Sequence, residues 1–110
     1  MDKQEVARIL NGRMRRPTHP GELLREDVMP AAGLTQLQLA KALGVSRKTI
    51  SEIVLGQRPV TVDMAVRLGT FFGNGPNLWL NMQKAVDLWD AINTNRQALR
   101  AIKPLKVRVA

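Results

Sequence analysis

Lys48, Ser51 and Glu52 put hydrogen-bonding and charged groups onto one side of a short segment, RKTISEIV. Laid out at about 100° per residue, Ile50, Ile53 and Val54 share the opposite side, with Arg47 and Thr49 on the flanks. These residue types suit recognition of a nucleic acid. Arg47 or Lys48 can donate to guanine O6 and N7, and Glu52 can accept from cytosine N4. Glu52 also stands four residues after Lys48, the spacing of an intrahelical ion pair; both readings stay open here. Two cations in a first turn oppose the helix dipole, which favours acids there. That placement makes sense where the helix start meets a polyanion. The plainer alternative is a pair of core helices with a solvated outer face.

Two helices joined by a tight turn would position these groups. In TQLQLAKALGVSRKTISEIVLGQRP, residues 35–59, Thr35 is a natural N-cap and Gln38 completes a capping-box pattern. Leu39, Ala40 and Leu43 form an inward stripe, and Gly44 ends the helix. Val45 plugs the corner, Ser46 caps a second helix running to about Leu55, and Gly56 stops it. A helix–turn–helix of this pattern can lay its second helix in the DNA major groove.

The run TQxxLAxxLGVSRxTISxI, with Gly56 and Arg58-Pro59 behind it, resembles the helix–turn–helix of the phage-repressor and Xre type. MRRPTHPGELLRED (residues 14–27) resembles the opening of HigA-type antitoxins, also called the VapI group. PNLWLNMQKAVDLWDA (residues 76–91) resembles that family's closing helix. The matches cover residues 14–91. The resemblance implies an antitoxin that binds double-stranded DNA, a palindromic operator, as a homodimer and represses its own operon. It further implies neutralisation of a cognate RelE-like toxin that cleaves mRNA. By motif position, the DNA-binding residues would be Gln36, Ser46, Arg47, Lys48, Thr49, Ser51, Glu52 and Arg58. Of these, Gln36, Thr49 and Arg58 would contact phosphates. A free-standing Xre-type repressor without a toxin, and a toxin-binding module without DNA binding, are the alternatives.

The expected architecture is all-α: a five-helix domain over residues 14–91, preceded by an extension (residues 1–13) and followed by a basic tail (residues 92–110). Val6, Ile9 and Leu10 give the extension a helical stripe that either frays or packs on a partner. The first core helix starts at Thr18 or His19 with Pro20 at its first position, and Pro30 and Gly33 end it. The fourth runs from a cap at Thr61 to Phe72, with Met64, Ala65, Leu68, Phe71 and Phe72 in the core. The fifth starts near Pro76 and carries Leu78, Trp79, Met82, Val86 and Trp89, read as core or a dimer seam rather than a ligand box. The alternation in LKVRV, residues 105–109, favours a short strand.

Bulk properties narrow the function classes. A chain of 110 residues suits one core, built here from Leu, Val, Ile, Ala and Met because aromatics are only 4%. A formal charge of +8 favours nucleic acid. The cations gather at the ends: five against two acids in the first sixteen residues, and none but cations after Asp90. Those ends can wrap DNA or meet an acidic partner. No cysteine is present, and His19, the single histidine, has no companion at ligand spacing, which leaves a capping or surface role. No glycine loop for phosphates and no acidic metal cluster appears, so neither an enzyme nor a cofactor is expected. The absence of a long apolar run and of a signal-peptide core points to a cytoplasmic protein without a membrane span.

Overall fold

The computed structural model describes residues 3–12 and 14–106. Among them every regular element is helical: α1 (Lys3–Leu10), α2 (Pro20–Leu23), a π-helical turn (Leu24–Val28), α3 (Met29–Ala32), α4 (Gln36–Leu43), α5 (Arg47–Val54), α6 (Val62–Phe72), α7 (Asn77–Thr94) and α8 (Arg96–Ala101). The all-α expectation holds, but the helices are more numerous than five. The first core helix is divided by its π turn, and the last is interrupted at Asn95. The expected strand does not begin at Leu105 and Lys106, which carry no regular structure. Residues 107–109 lie outside the described residues.

Pro30 does not end the first core helix. The Met29 amide donates to the Leu24 carbonyl, five residues back, and helical backbone continues to Gly33, whose φ of 67° closes it. A proline inside an α-helix lacks a donor and crowds the preceding turn. The wider π turn restarts the helix at Met29, so Pro30 falls in a first turn, where a missing N–H costs nothing.

The chain divides into two units, Pro17–Asp87 and a second made of Met1–Arg16 with Leu88–Ala110; α7 supplies residues to both. In the first, Leu24, Leu39, Ile50, Ile53, Ala65, Leu68 and Trp79 are almost wholly buried in one apolar cluster. Each fully buried Leu or Ile contributes roughly 1.5–3 kcal/mol. Trp79 donates its indole N–H to Asn74 (3.3 Å), which supports core over ligand box at that position. Gln83, also buried, accepts from the Val60 amide (2.9 Å) and donates to Asp87 (2.8 Å). Phe71 is not core: it lies at the edge of the α6 stripe and is 44% exposed, and Leu78 is likewise exposed. Phe72 takes the inward place, its ring 6.2 Å from that of Trp79.

In the second unit the C-terminal end of α1 is tied to α8. Arg96 and Arg100 donate to the Leu10 carbonyl, and Arg96 also to that of Ile9. Cationic donors suit these groups, which a helix C-terminus leaves unpaired. Arg16 makes two 2.9 Å bonds to Asp90, and the Trp89 indole donates to the Met14 carbonyl (3.1 Å). Ile9 and Ile92 are buried.

Candidate nucleic-acid interface

Local chemistry sets α4 and α5 in place. Thr35 Oγ1 accepts from the Gln38 amide (3.1 Å) and Gln38 Oε1 accepts from the Thr35 amide (2.9 Å), a complete capping box. Gly44 ends α4 at φ 71°, a conformation that L side chains resist. Ser46 Oγ then accepts from the Thr49 amide (3.1 Å) and so caps α5. With Ile50, Ile53 and Val54 buried, the remaining positions of α5 face outwards.

Two arginines complete the frame. Arg67 Nη1 donates to the Leu43 carbonyl at the end of α4 (2.8 Å), and Arg25 Nη1 to the Val54 carbonyl at the end of α5 (2.9 Å). Each satisfies an acceptor that a helix end leaves orphaned. Gly21 admits the closest approach: a Cβ there would lie 1.7 Å from the Ile53 carbonyl oxygen. Sequence reasoning missed all three residues. Only the Asp63–Arg67 spacing, an ion pair at 2.8 Å, offered a signal.

The outward face gathers most of the candidate residues. Arg47, Lys48, Ser51 and Glu52 line a shallow hollow of about 490 Å³. Arg47 and Lys48 are exposed at the start of α5, whose first turn holds no acid. Ser51 and Glu52 are half-buried behind them. Thr49 and Arg58 meet in a second hollow of about 400 Å³, together with Thr61, which the sequence reading had used only as a cap. Ser46 stays at the cap, its hydroxyl 2.9 Å from that of Thr49. Gln36 stands on the other helix of the pair, as the half-buried first residue of α4.

Glu52 ties the two hollows. Its Oε2 is 2.9 Å from Arg58 Nε and its Oε1 3.8 Å from Lys48 Nζ. The intrahelical pair is therefore present but long, and the closer partner comes from the loop. Lys48 is 82% exposed and Arg58 45%. Exposed pairs of this kind are worth about 0–1 kcal/mol, so a phosphate or base edge can displace either partner at little cost. His19 is not on the surface: it is buried, and its Nδ1 accepts from the Gly21 amide (2.9 Å), capping α2.

Among the described residues no helix is long and apolar enough to cross a membrane. A family model described as Helix-turn-helix matches residues 24–79. Antitoxin HigA-1 of Vibrio cholerae serotype O1 is 41% identical over 93 residues, spanning 84% of this chain and 88% of that protein. Virulence-associated protein I of Dichelobacter nodosus is 48% identical over 87 residues, spanning 79% of this chain and 80% of that protein. Among solved structures, Pseudomonas aeruginosa antitoxin HigA with the higBA promoter superimposes with a TM-score of 0.78 at 40% identity, covering 82% of this chain and 99% of that one.

Proposed function

The chain belongs to the HigA-type antitoxins of the helix–turn–helix family, and on that premise we propose that it binds the operator of its own toxin–antitoxin operon as a homodimer, represses it, and neutralises a cognate RelE-like toxin. Members of this family are DNA-binding regulators, not enzymes. The observation that carries the DNA half is the exposed pair Arg47 and Lys48 at the start of α5, backed by buried Ile50, Ile53 and Val54. The relative solved with the higBA promoter supports the same assignment.

In this mechanism Arg47 and Lys48 read base edges, with Ser51 and Glu52 beside them on the same face. Ser46, Gln36, Thr49 and Arg58 fix register on the phosphates. One helix reads only a few base pairs; two-fold pairing presents two such helices to half-sites about 34 Å apart. The operator is then a palindrome, and the work is done in the cytoplasm, where the DNA is.

Co-expression with the product of the neighbouring gene tests the toxin half. The expected result is a complex that co-purifies, suppresses that protein's mRNA cleavage and still retards the DNA upstream of the operon. Retarded DNA without any complex would leave a free-standing repressor. A complex without retarded DNA would leave a toxin-binding module.

A further inference from the structure

The two units of this chain differ sharply in charge. Residues 17–87, which contain the helix–turn–helix, hold seven lysines and arginines against six acids, a formal +1. The unit made of Met1–Arg16 and Leu88–Ala110 holds ten against three, a formal +7 of the chain's +8. In residues 17–87, Arg25, Lys48, Arg58 and Arg67 each face an acid within 4 Å. Among the described residues of the terminal unit Asp90 is taken up by Arg16, while Arg8, Arg15, Lys103 and Lys106 are exposed.

Among the described residues, part of this charge is borne on a built unit. Arg96 and Arg100 hold the C-terminal carbonyls of α1, Arg16 grips Asp90, and Trp89 bonds the Met14 carbonyl across 75 residues of sequence. A unit so assembled concentrates its field instead of spreading it along two free chains. Backbone carbonyls as partners leave the charges of Arg96 and Arg100 uncompensated.

We infer that this terminal unit is a second, sequence-independent nucleic-acid surface: it supplies most of the phosphate neutralisation, while α5 supplies the discrimination. The inference rests on the operator reading above. A near-neutral helix–turn–helix unit releases few counterions, whereas each phosphate neutralised by the terminal unit steepens the salt dependence of binding by about 0.9 in log K against log salt.

The test compares the full chain with a variant carrying Arg8→Gln, Arg15→Gln, Lys103→Gln and Lys106→Gln, on the upstream duplex and on a scrambled duplex. These side chains are exposed and none holds the unit together; matching thermal melts check that it folds. The expected result is a slope shallower by up to about 3.6 per bound chain on both duplexes, with the ratio of the two affinities preserved. A second variant that keeps charge, Arg8→Lys, Arg15→Lys, Lys103→Arg and Lys106→Arg, should keep the slope. An unchanged slope in the glutamine variant overturns the inference. If that variant also loses retention on poly-glutamate, the surface serves an acidic protein instead. If the unaltered chain does not separate the upstream from the scrambled duplex, the operator reading fails, and the slope on the scrambled duplex still decides this one.

Discussion

Glu52 is the residue on which the chemistry of the interface turns. An acid on a DNA-facing surface costs affinity unless it is paired or reads a base, and here Arg58 and Lys48 both reach it. Pairing is the role its geometry favours. Glu52→Gln is therefore expected to raise affinity for a scrambled duplex, because Arg58 is released and a repulsive charge is gone, while stability changes by less than about 1 kcal/mol. Gel shifts on operators with single base changes check this; lost discrimination at one position would make Glu52 a base reader. The outward placement of Arg47 and Lys48 and the Ser46 cap were legible from spacing, because helical geometry and capping are local. The Arg58–Glu52 contact was not, because it depends on the path of the loop after α5.

At the scale of elements, α4 and α5 were legible for the same reason: each start and stop is written in two or three neighbouring residues. The π turn at Leu24–Val28 was not, and Pro30 was read as a stop because its rescue lies in the turn before it. Gly21 was passed over because its importance comes from a helix far along the chain. It lets α2 approach α5 so closely that Gly21→Ala must push the two apart. The expected loss is at least about 2 kcal/mol, within the range of overpacking. A thermal melt checks it, and an unchanged midpoint would mean that α2 and α5 leave room for a methyl group.

Across the whole molecule, the charge of the two ends was plain in the sequence, but their union was not. It depends on bonds such as Arg96 to Leu10, between residues 86 apart, and no periodicity reports contacts at that range. The division that follows assigns recognition to a nearly neutral unit and attraction to a basic one, so affinity and specificity should respond to different variants. The claim that α5 reads sequence is tested most directly by titrating the DNA upstream of the chain's own gene against a scrambled duplex at physiological salt, for the chain and for Arg47→Ala. The expected result is tighter binding to the upstream DNA by about 10³-fold or more, with Arg47→Ala losing about 1–3 kcal/mol of it and little on the scrambled duplex. Equal affinity for both duplexes, unmoved by the alanine, would contradict it.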